Sequence, residues 1–212
     1  MKIKKRVFGV FIFVFLTWSF YRFFFVFPDW LEELIFKPII FIGPVLWLIK
    51  KEKEDLSSIG LSSINLFRNI YFGLGLGMVF TFLGILVNYW KYGSISFSSF
   101  GLTEISLLWL VFLSLATAFS EEILFRGYVF TRLLKVWKNE LAAGVVSALL
   151  FSLIHFPVAI FVWGYEPSML FIQGFLTFLL GLGNGFLMVK TGNIVAPIIN
   201  HALWGLTIFL FR

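Results

Sequence analysis

Ile105-Ser-Leu-Leu-Trp-Leu-Val-Phe-Leu-Ser-Leu-Ala-Thr-Ala-Phe-Ser120 is a run of sixteen largely apolar residues that ends directly on two acids, Glu121 and Glu122. As a helix it covers about 24 Å of a hydrocarbon core roughly 30 Å thick. Comparable apolar runs stand on either side of it, at Val7 to Phe27, Leu34 to Ile49, Ile70 to Trp90, Leu141 to Trp163, Met169 to Val189 and Ile194 to Phe211. The 212 residues are 60% apolar and 13% charged, whereas a soluble domain carries roughly a quarter charged residues. The expected fold is all-α: a polytopic transmembrane helical bundle of about seven membrane helices, forming a single membrane domain over residues 1–212. Leu34 to Ile49 is short and holds Pro38 and Pro44, so a kinked or re-entrant segment is expected there.

The N-terminus, Met1-Lys-Ile-Lys-Lys-Arg6 before Val7 to Phe20, has the charged start and apolar stretch of a secretory signal. No small-x-small cleavage site follows, and a retained first helix is expected. Basic residues cluster between apolar runs, as the positive-inside bias requires, and not in a nucleic-acid patch. Lys2, Lys4, Lys5, Arg6, Lys50, Lys51, Lys53, Arg68, Arg126, Arg132, Lys135, Lys138 and Lys190 fall on one side. Lys37, Lys91 and Arg212 fall on the other, beside Asp29, Glu32, Glu33, Glu104 and Glu166. This predicts a multi-pass protein of the cell membrane with a cytoplasmic N-terminus. In Arg126 to Trp137 the basic residues lie on one side of a helix and Val129, Phe130, Leu133, Leu134 and Trp137 toward another, a pattern that suits an interfacial helix. Gly73-x-x-x-Gly77 and Gly181-x-x-x-Gly185 fit close helix crossings. The absence of cysteine excludes disulfides and thiol catalysis.

Ionisable residues inside a membrane are expensive and tend to face the protein interior. Glu121 and Glu122 end an apolar run, and both histidines of the chain, His155 and His201, sit within apolar segments. Taken singly, each has a structural reading: a Glu122–Arg126 pair at i, i+4 that ends a helix, or a hydrogen-bonded core histidine. Together they place two carboxylates and two histidines on three helices, within one layer expected to face the cytoplasm. A glutamate and two histidines can hold a zinc ion, or can deprotonate and position a water for hydrolysis. Pro157 cannot bond to the carbonyl of Leu153, which predicts a bend beside His155.

These residues resemble the CPBP family of intramembrane proteases, the CAAX proteases and bacteriocin-processing enzymes also called the Abi family. Glu121-Glu-Ile-Leu-Phe-Arg126 matches its Glu-Glu-x-x-x-Arg motif, Phe151-Ser-Leu-Ile-His155 its Phe-x-x-x-His motif, and Asn193-Ile-Val-Ala-Pro-Ile-Ile-Asn-His201 its third, over a core of about 105–212. The resemblance implies an endopeptidase that cleaves a membrane-associated protein or peptide entering from the membrane or the cytoplasmic side. It implies Glu121 as general base, His155 as activator of the water or metal ligand, and His201 as oxyanion stabiliser or metal ligand. Glu122 and Arg126 would hold the helix end. The family's third motif usually has a small polar residue four positions after its histidine, and Gly205 stands there. His201 is then expected to work either with a donor from another helix, Asn184 being the first candidate, or with a metal, since Asn200 points about 100° away from His201 on the same helix. The alternative is a non-catalytic immunity or partner-binding protein of the same fold.

Overall fold

The computed structural model describes residues 2–95 and 104–210. Arg212 lies outside them, as do the side chains of Lys91 and Glu104, so the expected placement of these three charges is untouched. The described residues form helices α1 (Lys2–Phe24), α2 (29–52), α3 (Leu66–Tyr92), α4 (104–137), α5 (Glu140–Leu153), α6 (Phe156–Phe161), α7 (Pro167–Thr191) and α8 (Val195–Leu210). Among the described residues, five helices are long and apolar enough to cross a membrane: Lys2–Phe24, Leu66–Trp90, Ser106–Trp137, Glu140–Phe161 and Pro167–Thr191; Val195–Ile208 is a shorter apolar helix. Many large apolar side chains point outward, among them Phe20, Phe67, Trp90 and Leu108. A chain that turns such residues out has lipid as its solvent, and this is an integral membrane protein built as a helical bundle.

The segment with two prolines is α2. It opens with the single turn Asp29–Leu31, widens into a π-helix over Glu32–Phe36, and continues as an α-helix over Lys37–Glu52. Pro38 cannot donate to the carbonyl of Leu34, so the regular ladder fails there and the wide turn sits where it fails. A second π-helix, Ile123–Phe130, joins Glu104–Glu122 to Thr131–Trp137, making α4 one continuous helix. Within it Ser147 Oγ donates to the carbonyl of Phe125 at 2.9 Å, using an oxygen at a place where the ladder is irregular.

The stretch 126–137 therefore continues the spanning helix instead of lying along the interface. Tyr128, Val129, Phe130, Arg132 and Leu133 are all buried. Arg132 bonds to Glu52 at 2.7 Å and to the carbonyl of Ser58 at 3.0 Å, and Tyr128 also bonds to Glu52, at 2.8 Å. Arg126, which its charge places in a loop, is a fully buried mid-helix residue.

Glycines set two close crossings. A Cβ at Gly73 would lie 2.7 Å from the carbonyl oxygen of Ala196, and one at Gly77 would lie 2.4 Å from a methyl of Leu203, so α3 rests directly on α8. A Cβ at Gly181 would meet Ala148 at 2.8 Å and the Arg126 guanidinium at 3.2 Å. That glycine lets α7 approach α5 closely enough to close over the buried arginine.

Candidate active site

Glu121 and Glu122 occupy the last turn of α4 before its π-helical section. The sequence predicts a helix ending near Arg126, which would bring Glu121 toward the cytoplasmic surface. The helix instead runs on to Trp137, so Glu121 stands near the middle of α4 and not near its end. Glu122 is fully buried, and its Oε1 gathers three donors: Arg126 at 3.0 Å, Asn184 Nδ2 at 2.8 Å and His201 Nδ1 at 2.8 Å. Adjacent residues on a helix point about 100° apart, so with Glu122 turned into this network Glu121 faces a different neighbour.

His155 sits in the break between α5 and α6. Its backbone N–H bonds to Ser152 at 3.2 Å, one residue short of the helical partner, while its ring Nδ1 takes that partner's place at 2.8 Å from the carbonyl of Phe151. Pro157, in the first turn of α6, accounts for the break, because the helix cannot run through it unchanged. A carbonyl only accepts, so the Nδ1 of His155 carries the hydrogen and Nε2 of the neutral ring is left with a lone pair. The same reasoning holds for His201, whose Nδ1 faces the acceptor Glu122. His201 lies on α8, whose start is tied down by Asn193: its Oδ1 accepts from Val195 N at 2.9 Å, and its Nδ2 donates to Ser62 O at 2.6 Å.

Both Nε2 atoms point at one oxygen. Glu121 Oε2 stands 3.5 Å from His155 Nε2 and 3.7 Å from His201 Nε2, and it has no hydrogen-bond partner among the described residues. Three lone pairs meeting at one point call for a hydrogen donor between them, and a water molecule is the smallest that can serve. Phe151 fixes the two rings edge-on, with centroids 4.8 Å from His155 and 5.4 Å from His201, and the Arg126 guanidinium stacks on it at 4.3 Å. All three quoted motifs thus converge on one cluster.

Residues 103–207, nearly half the chain, match the family model described as type II CAAX prenyl endopeptidase Rce1-like. This stretch belongs to the Rce1-like CAAX protease family. No curated protein and no solved structure matches the chain.

In this Rce1-like protein a further charge reaches the cluster from outside the matched stretch. Lys37 of α2, read from sequence as a loop residue, is buried with its ammonium 3.0 Å from Glu121 Oε1 and 2.6 Å from Glu33 Oε2. Glu33 also accepts from Thr117 at 2.6 Å, one turn before Glu121. Four residues apart on α2, Glu33 and Lys37 share a face, so an ion pair legible in the sequence as i, i+4 was the available signal. Its contact with Glu121 depends on tertiary packing and left no such trace.

Lys37, Glu121, His155, His201, Gln173 and Gly205 are among the residues lining a cavity of about 830 Å³, its mouth included. Gly205 leaves room on that wall, where an added Cβ would meet only Ser114, at 3.6 Å or more. Asn184 does not line the cavity. It is fully buried with both ends of its amide engaged, Nδ2 on Glu122 and Oδ1 accepting from Asn200, which corrects its expected part as an oxyanion donor. Asn184 and Asn200 support Glu122 from behind. Glu121, His155 and His201 are also the residues that would hold a zinc ion. Among the described residues no three His, Cys, Asp or Glu side chains are arranged to hold a metal ion. The Lys37 ammonium on Glu121 would moreover repel a dication placed there.

Proposed function

We propose that this protein is an intramembrane endopeptidase in which Glu121 activates a water without a metal. The observation that carries this reading is the convergence of His155 Nε2 and His201 Nε2 on the otherwise unpartnered Glu121 Oε2 inside a cavity. Glu121 takes one proton as the water oxygen attacks the scissile carbonyl carbon, and that proton passes to the leaving amine as the carbon–nitrogen bond breaks. The Nε2 lone pair of His155 accepts the water's other hydrogen and orients the attack. His201 is backed by the Glu122 carboxylate, which holds the ring by its Nδ1–H and so keeps Nε2 turned toward the water. This is the role an acid plays behind histidine in hydrolytic triads. The N-terminus is cytoplasmic on this reading, and the catalytic core is the stretch of about 105–212 within a single membrane domain.

Lys37 is a positioning residue, holding the Glu121 carboxylate by its other oxygen. Lys37→Met should lower kcat about 100-fold with KM little changed, since a small misplacement of a reacting group costs that much. Lys37→Arg should restore part of the loss, whereas a merely structural role would give equal losses for both. Gln173 offers an amide on the cavity wall in place of the family's polar residue at position 205. Gln173→Ala should cost about 100-fold to 1,000-fold in cleavage, the worth of one oxyanion donor. The substrate is found by mass spectrometry of membrane peptides from cells with and without the protein. New peptide termini that appear with wild type and vanish with Glu121→Gln support the reading; identical termini in both would refute it.

A further inference from the structure

The cavity has a direction that the helix ends define. Its lining includes Arg22, two residues before the end of α1, Glu33, near the start of α2, Trp163, just beyond α6, and Ile208, two residues before the end of α8. All four lie at the face carrying the turn between α1 and α2. No lining residue comes from the opposite helix ends; on α2 the lining stops at Phe41, and on α7 it runs from Gln173 to Leu180. The cavity therefore runs from the middle of these helices to the face away from the N-terminus.

The two faces differ in charge. Exposed Lys4, Lys5, Lys50, Lys51, Lys138 and Lys190 stand at the N-terminal face. At the other face the described cations Arg22 and Lys37 are buried in ion pairs with Glu32 and Glu33, and the exposed charges Asp29 and Glu166 are acidic. Lys and Arg concentrate in loops on the cytoplasmic side.

We infer that the cavity opens to the non-cytoplasmic side of the membrane, so that its substrate is a peptide segment of an exported or membrane-anchored chain presented there. A tail held at the cytoplasmic leaflet is on the wrong side to enter. The walls favour an apolar stretch, since Trp18, Phe41 and Trp204 line the cavity and its charged groups Arg22, Glu33 and Lys37 are already paired. This substrate class rests on the protease reading, but the direction of the mouth does not.

The chain has no cysteine, so single cysteines report position without background. Full-length Ser94→Cys, Gln173→Cys and Lys190→Cys are treated in intact cells with a small membrane-impermeant methanethiosulfonate. Ser94 is exposed just beyond α3 at the proposed outer face, Gln173 lines the cavity, and Lys190 is exposed at the N-terminal face. Ser94→Cys and Gln173→Cys should react in intact cells, and Lys190→Cys only after permeabilisation. Reaction of Lys190→Cys in intact cells, or of Gln173→Cys only after permeabilisation, overturns the inference. Labelling involves no cleavage, so its failure leaves the protease reading standing. Loss of the Glu121-dependent peptides would in turn leave the topology untouched.

Discussion

Arg126→Ala is expected to destabilise the protein by about 3–5 kcal/mol, the cost of stripping one partner from a buried ion pair. Arg126 and Glu122 are both fully buried and 3.0 Å apart. Removing the guanidinium leaves a carboxylate in the membrane interior with only Asn184 and His201 to hold it, and removes the cation stacked on Phe151. His201 and Phe151 should shift in turn, so activity falls together with stability. Unfolding in detergent, followed by heat or denaturant, measures the loss. Adding Glu122→Gln to Arg126→Met should recover much of the stability, because no charge is then buried alone. It should not recover activity, because His201 then faces an amide in place of a carboxylate. An Arg126→Ala protein within about 1 kcal/mol of wild type would contradict this account of the core.

Glu121→Gln is expected to reduce cleavage by at least about 100-fold to 10,000-fold, the usual contribution of a positioned general base. The amide has nearly the same shape and its oxygen can still accept from Lys37, so the fold should hold and unfolding should shift little. Cleavage at the wild-type rate would remove Glu121 from the mechanism. Chelators should leave the wild-type rate unchanged, since no step requires a metal.

The membrane bundle and the motif residues were legible because local sequence carries them. Apolar runs of spanning length mark helices, Gly73 and Gly181 mark close crossings, and Glu122 and Arg126 stand one turn apart. The break at His155 was legible from Pro157, whose missing N–H is a local property. Lys37 was not, because its charge reads as a loop signal until packing brings α2 against α4. The end of α4 was misjudged for a related reason: a basic residue at 126 suggests a helix end, yet this arginine is buried in an ion pair and α4 continues to Trp137. The direction of the cavity could not be read either, since it depends on which ends of α1, α6 and α8 surround it. Nothing in one sequence tells which way the Asn184 amide turns, and it turns to Glu122.

The central claim is that Glu121 activates a water for peptide hydrolysis inside the membrane. The most direct measurement is cleavage of a substrate identified by its new termini, using purified protein in proteoliposomes, with wild type and Glu121→Gln compared with and without a chelator. The account predicts cleavage by wild type at the same rate in both conditions and a loss of at least about 100-fold for Glu121→Gln. Cleavage by Glu121→Gln at the wild-type rate, or wild-type cleavage that stops with the chelator and returns with zinc, would contradict it.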